Sequence, residues 1–316
     1  MPLFSIIIPV YNKGKSIANT LNSALCQTFT DFEIIIINDG STDESATEIL
    51  RIKDPRIRFF ETTNQGVSQT RNLAIEKANG TLIAFLDADD YWFPTHLFQI
   101  DRLFKQFPTA GLLACNYELF YSDKYIHKPH FIDVPEDNWS GIIVDFFKSS
   151  YINRIAWTSA VAVPKKVLEK VGNFCPNITL GAGEDTDLWI RIALQYPVAF
   201  DNNITARHNL FAENRMSLTS TSQRKFAKLN EFREEEKNNF WLKKFLDLYR
   251  TEFAIKHKIS GDLKTYFEFK NQIDIQNIPI RSKIILFCPR FLLIFLFKTK
   301  KMLERNHIYF SIYAQK

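Results

Sequence analysis

Leu82-Ile83-Ala84-Phe85-Leu86-Asp87-Ala88-Asp89-Asp90 is the stretch on which the fold turns. Five apolar residues in a row read as a strand covered on both faces, because a half-solvated strand would alternate. The acidic run then falls at the carboxyl end of that strand, the edge along which open α/β sheets bind their ligands. In extended backbone residues i and i+2 share a side, so Asp87 and Asp89 both face one hard cation or its bound ligands. Three acids in a solvated loop are the plain alternative, and the apolar run before them speaks against it.

Upstream, the same strand–helix alternation repeats. Ser5–Pro9, Phe32–Ile37 and Ile57–Phe60 are apolar runs, and helical patterns cover Lys15 to Gln27, a stretch ending near Lys53, and Val67–Ala78. This order predicts a doubly wound α/β sheet, mixed and mostly parallel. Its strand ends carry Pro9-Val10-Tyr11-Asn12 and Asn38-Asp39-Gly40 beside the Asp87 run. A carboxylate placed just after a buried strand is costly without a partner, so its recurrence marks a site. For Asp39, which precedes Ser41 and Thr42, a helix-cap role is the competing reading.

Downstream, Ala110–Phe120 and Ser159–Val163 read as strands, and Glu184–Tyr196 as a helix opened by Gly183-Glu184-Asp185-Thr186-Asp187. Acids suit a helix start through the macrodipole. A carboxylate held there also suits a general base. His208 follows a strand-like Val198–Ala206, with Arg207 and Arg215 near enough in sequence to serve an anionic ligand. Trp157 is either a stacking surface or a core residue. From about Ser220 the pattern turns helical and charged, clearest over Arg224–Lys244. Two regions are expected, 1–217 and 218–316.

Composition excludes several classes. With 46% hydrophobic and 24% charged residues, 10 Gly and 12 Pro among 316, the chain is neither disordered nor collagen-like. Cys26, Cys115, Cys175 and Cys288 form no C-x-x-C pair, so neither a zinc site nor a disulfide framework is indicated. Met1-Pro2 leads straight into a strand without a basic and apolar leader, which gives a cytoplasmic expectation. The net charge of +5 divides into −5 over residues 1–210 and +10 over 211–316. The basic third contains Ile284–Phe297, 12 of whose 14 residues are apolar. As a helix it reaches about 21 Å, short of a bilayer core of about 30 Å, and Pro289 kinks it. Arg281 and Lys283 precede it, and Lys298, Lys300, Lys301 and Arg305 follow, a pattern for peripheral contact with an anionic membrane. Packing within the protein or a homo-oligomer contact is the rival reading.

Pro9-Val10-Tyr11-Asn12-Lys13-Gly14-Lys15-Ser16 matches a phosphate-binding P-loop except at its first residue. Pro9 has no N–H and cannot take the positive φ that Gly allows there. A P-loop-like nucleotide phosphohydrolase is nevertheless a competing enzyme.

Taken in order, Ser5–Asn12, Ile37–Asp43, Asn64–Ser68, Arg71-Asn72, Gly80, Phe85–Asp90 and Gly183–Asp185 resemble the family-2 inverting glycosyltransferases with the GT-A fold. The resemblance covers Phe4 to about Ser217. It implies that Pro9, Val10, Tyr11 and Asp39 hold the base and ribose of a nucleotide, usually uridine, with Arg71 in the same pocket. Asp87 and Ala88 would face the ribose, and Asp89, with His208, a divalent ion, Mn2+ or Mg2+. Asp185 matches the catalytic base. Arg207 and Arg215 are expected to assist the diphosphate, and Trp157 and Glu184 to lie on the acceptor side. The reaction implied is inverting transfer of a sugar from a nucleotide-diphosphate donor to a glycan or lipid-linked glycan. Cell-surface polysaccharide or glycolipid synthesis is the implied setting, and nucleic acid is not an expected partner. A non-catalytic nucleotide-sugar-binding protein is the other reading, and it would be expected to lack Asp89 or Asp185, both of which are present.

Overall fold

A computed structural model of the chain describes residues 1–136, 138–212 and 219–305. The opening alternates β1 (Phe4–Val10), α1 (Ile17–Leu25), β2 (Phe32–Asp39), α2 (Ser45–Arg51), β3 (Ile57–Thr62), α3 (Val67–Lys77) and β4 (Leu82–Phe85). A short β5 (Tyr91–Trp92) and α4 (His96–Gln106) follow, then β6 (Leu112–Ser122), β7 (Tyr125–His127), β8 (Ser140–Ile142) and α5 (Phe146–Ser149). Next come β9 (Val161–Pro164), α6 (Lys165–Val171), α7 (Glu184–Ala193) and β10 (Val198–Asn209). The C-terminal part is helical: α8 (Arg233–Asn238), α9 (Phe240–Ser260), α10 (Leu263–Lys270), α11 (Ile280–Phe287) and α12 (Arg290–Arg305).

All the strands share one sheet, ordered β3-β2-β1-β4-β9-β6-β10-β5, with β7 beside β6 and β8 beside β10. The long pairings, β1 with β2, β2 with β3 and β6 with β10, are parallel. β9 runs antiparallel between β4 and β6. The mixed, mostly parallel sheet expected from the apolar runs is therefore present, and Ile6, Ile7, Ile8 and Ile34 to Ile37 are wholly buried in it. Gly80 lets β4 start against β1, since a Cβ there would lie 2.5 Å from the Ser5 backbone nitrogen.

Two sequence expectations need correction. The helix expected over Arg224–Lys244 breaks into one 3₁₀ turn (Leu229–Phe232), α8, and the first residues of α9. Asn239 is extended, and its side chain accepts from the Leu242 N–H to cap α9, so the long helix begins at Phe240. The apolar run 284–297 is divided between α11 and α12 at Cys288-Pro289, where the residue before proline takes an extended ψ of 136°. One buried cluster runs from Phe4 to Phe253, and a smaller one joins Ala254 to Leu293. Among the described residues no helix is long and apolar enough to cross a membrane.

Candidate active site

The carboxyl ends of β1, β2 and β4 open into one cleft of about 420 Å³. Its walls include Pro9, Val10, Tyr11, Asp39, Asp87, Ala88, Asp89 and His208, eight of the residues named from sequence. Tyr11 stands half exposed at the rim, a free aromatic face for a flat base. The Asp39 carboxylate accepts from the backbone N–H groups of Gln65 and Gly66, both at 2.9 Å. It thus ties β2 to the turn ahead of α3, while Asp43 serves the start of α2 by accepting from Ser45 N.

The acidic run divides its labour. Asp87 accepts from Arg71 Nη2 at 2.7 Å, and its backbone N–H donates to the Ser159 hydroxyl oxygen. Asp89 receives the Lys13 ammonium at 2.6 Å. Asp90 is buried, takes a hydrogen bond from the Ser159 hydroxyl at 2.6 Å, and accepts from Asn209 N. Burial pushes its pKa well above the usual carboxylate range, and the charges of Asp89 and Asp87 add to the effect.

Arg71 does not line the cleft. It is buried behind Asp87, with Nη1 3.6 Å from Glu184 Oε1 and its guanidinium 5.1 Å from the Phe174 ring centre. Glu184 opens α7 after Gly183, whose φ of 101° needs a residue without a Cβ. Burial first, and the Asp185 charge second, push Glu184 up to about 7 against the pull of Arg71. Asp185, next along, is half-buried and accepts from Thr186 N at 2.7 Å, with the Thr158 hydroxyl at 3.4 Å. The C-terminal helices reach this corner, where the Tyr249 hydroxyl of α9 lies 3.2 Å from that of Thr186.

Among the described residues no group of three or more His, Cys, Asp or Glu is gathered to hold a metal. The cleft fits an ion held by one or two protein ligands and completed by a diphosphate, the usual economy for magnesium or manganese. That a cation already sits on Asp89, as the Lys13 ammonium, is in keeping with such a position.

Comparison with known proteins places this geometry. Residues 5–172 match the family model for glycosyl transferase family 2. The chain belongs to that family. An uncharacterized glycosyltransferase of Rickettsia typhi is 27% identical over 84% of this chain and 83% of its own length. Relatives in R. felis and R. conorii are longer, and the chain spans 35% and 34% of them. The UDP-Glc:alpha-D-GlcNAc-diphosphoundecaprenol beta-1,3-glucosyltransferase WfaP of Escherichia coli is 31% identical over 72% of this chain and 83% of its own. Among solved structures, S. aureus TarS 1–349 in complex with UDP-GlcNAc shares the fold, with a TM-score of 0.58 at 19% identity over 98% of this chain and 93% of that one. The mannosyltransferase PcManGT from Pyrobaculum calidifontis, in complex with GDP-Man and Mn2+, gives 0.55 at 14% identity over 97% and 83%.

The protein is thus a nucleotide-sugar glycosyltransferase, and several sequence-named residues take new positions within it. The near-P-loop cradles no phosphate: Lys13 N donates to Ser45, Gly14 N to Asp43, and the Ser16 hydroxyl to the Ala88 carbonyl. Arg207 does not face the cleft. Strand alternation sends it opposite to His208, where it donates to Glu118 at 2.6 Å and packs over Phe120. It borders a neighbouring recess that shares Asp89 with the cleft. Trp157 is only 7% exposed and stacks on His208 at 4.8 Å between ring centres, so it supports that histidine instead of offering a face to an acceptor. Arg215 lies outside the described residues.

Sequence reasoning missed Lys13, Thr70, Asp90 and Thr219. Lys13 and Asp90 lay inside quoted motifs and were given no role. Thr219 carried no signal at all, and it stands in the wall of the cleft.

Proposed function

We propose that this glycosyltransferase moves a sugar from a UDP-sugar to an acceptor hydroxyl with inversion at the anomeric carbon. The convergence of Pro9, Val10, Tyr11, Asp39, Asp87 and Asp89 on one cleft carries the reading. Tyr11 and Asp39 would flank the base and ribose, and Asp87 and Ala88 the ribose and first phosphate. Asp89, with His208 nearby, would hold a divalent ion. Such an ion, when bound, neutralises charge on the diphosphate.

The chain's own residues then divide the work. Asp185 takes the proton from the acceptor hydroxyl as that oxygen attacks the anomeric carbon. The nucleoside diphosphate leaves from the opposite face, and a single displacement inverts the configuration. Holding both reactants in one cleft makes the encounter effectively intramolecular. Thr186 N and the Thr158 hydroxyl donate to Asp185 and hold its carboxylate in place. Glu184, pushed up to about 7, sits beside it without being needed as a second base.

Because WfaP is named for a diphosphoundecaprenol-linked acceptor and TarS was solved with UDP-GlcNAc, we infer a glycan or lipid-linked glycan acceptor. The enzyme would then act in cell-surface glycan synthesis on the cytoplasmic face of a membrane. The test is a panel of UDP-, dTDP- and GDP-sugars with Mn2+ or Mg2+, read as nucleoside diphosphate release. Release from one or more UDP-sugars supports the reading. Release from GDP-sugars alone contradicts it.

A further inference from the structure

Helix α11 exposes Ile280, Ile284 and Phe287, at spacings of four and three, while Ser282, Ile285 and Leu286 on its other side are buried. Beyond Pro289, α12 repeats the pattern. Phe291, Leu292, Phe295 and Leu296 are outward, and Leu293 is wholly buried. The exposures are large for such side chains: 73% at Ile280, 65% at Ile284, 76% at Phe291 and 63% at Phe295. Isolated apolar side chains on a surface need no explanation, but a run of this length along two consecutive helices does.

The charge around the run identifies what covers it. From Ile275 to Leu303 the sequence contains no Asp or Glu, while Arg281, Lys283, Arg290, Lys298, Lys300 and Lys301 are all basic. Lys270 of α10 adds its ammonium 4.9 Å from the Phe287 ring centre. A self-associating protein face gains nothing from uniform cationic charge, because two copies would bring like charges together. An acidic headgroup layer above an apolar interior matches both features at once. Neither helix is long enough to span a bilayer, so insertion would be shallow and in the plane of the surface.

We propose that α11 and α12 form an interfacial anchor that docks the enzyme on an anionic membrane. Phe291, Phe295, Ile284 and Ile280 enter the acyl boundary, and Lys283 and Lys298 reach the headgroups. Helix α9 links the anchor to the start of α7, because Ala254 and Ile255 share the small core with Leu286 and Leu293 while Tyr249 lies against Thr186. A lipid-linked acceptor, as proposed above, would give the anchor its purpose. The docking itself is measured with no donor or acceptor present, so its failure and that reading's failure stay distinguishable.

The test is flotation of the full chain with vesicles of phosphatidylcholine alone, and with about one-third phosphatidylglycerol, at low and high salt. The wild type should float with the anionic vesicles at low salt, with at least about tenfold less bound to phosphatidylcholine alone or at high salt. Phe291→Ser/Phe295→Ser, which removes only exposed side chains, should lower binding by at least about tenfold while nucleotide binding is retained. Lys283→Glu/Lys298→Glu should lower it and weaken its salt dependence. Absence of wild-type binding at low salt overturns the proposal, as does undiminished binding by the serine pair. Analytical ultracentrifugation covers the rival: a dimer that the serine pair dissociates, without vesicle binding, assigns the face to a second copy.

Discussion

Arg71 donates to Asp87 across 2.7 Å from a position in which its side chain is almost wholly buried. Its other nitrogen faces Glu184, so one guanidinium joins the acidic run after β4 to the acidic start of α7. Burial opposes its charge, and the two carboxylates outweigh burial, so its affinity for a proton is raised. Arg71 therefore holds two walls of the site together instead of presenting itself to the nucleotide.

Replacing it exposes that dependence. Arg71→Met should destabilise the fold by about 3–5 kcal/mol at neutral pH, because Asp87 and Glu184 lose a shared counter-charge. Arg71→Lys should recover less than half of the loss, since a single ammonium cannot reach both carboxylates. Urea unfolding of the three proteins at one pH decides the matter. Two variants of wild-type stability would mean that the pairing contributes nothing.

Glu184 gives a prediction with a definite sign. Its carboxyl is pushed up to about 7 in the folded chain, from the ordinary 4.5. Between those two values the folded state holds a proton that the unfolded state has released, so this group's contribution to stability falls as pH rises from about 4.5 to 7. Glu184→Gln removes that slope. Relative to wild type, the variant should gain stability steadily from pH 5 to pH 7 and show a constant difference above that. Unfolding free energies at several pH values test it, and a difference flat across the whole range would contradict the raised pKa of Glu184.

Much of this site was legible because its residues lie at strand ends. Ile6–Ile8, Ile34–Ile37 and Leu82–Phe85 are apolar without alternation, and a sheet covered on both faces leaves no other reading. Once those strands are parallel, Pro9, Asp39 and Asp87 must share an edge. What stayed hidden depends on tertiary approach. Nothing local to Arg71 says that Glu184, more than a hundred residues away, will stand beside it. The partner of Arg207 stayed hidden because the strand read as Val198–Ala206 runs on to Asn209, and that extension sets Arg207 beside Glu118 of β6. The start of α9 was misplaced because charge pattern carried the helix back to Arg224, whereas the cap is a single Asn239.

Lys13 and Asp89 offer a test of the metal position. With Lys13 paired to Asp89 at 2.6 Å, an arriving divalent ion has to displace an ammonium. Lys13→Met should therefore bind Mn2+ more tightly than wild type when no nucleotide is present, by roughly three- to tenfold. Asp89→Ala should lose Mn2+-dependent UDP binding by at least about tenfold, leaving metal-free UDP binding little changed. Manganese electron paramagnetic resonance and titration calorimetry read the two effects separately. Weaker Mn2+ binding by Lys13→Met, or unchanged Mn2+ dependence in Asp89→Ala, would move the ion elsewhere.

The role of Asp185 decides whether the cleft works as described. The decisive measurement is single-turnover sugar transfer by Asp185→Asn, at saturating donor and acceptor, beside a calorimetric donor affinity for the same preparation. The asparagine keeps the shape and accepts hydrogen bonds from Thr186 N and the Thr158 hydroxyl, but it cannot take a proton. Donor affinity should stay within a few fold while the rate of transfer falls by about 10²–10⁴. Transfer near the wild-type rate by the folded, donor-binding variant would contradict the assignment of Asp185 as the base.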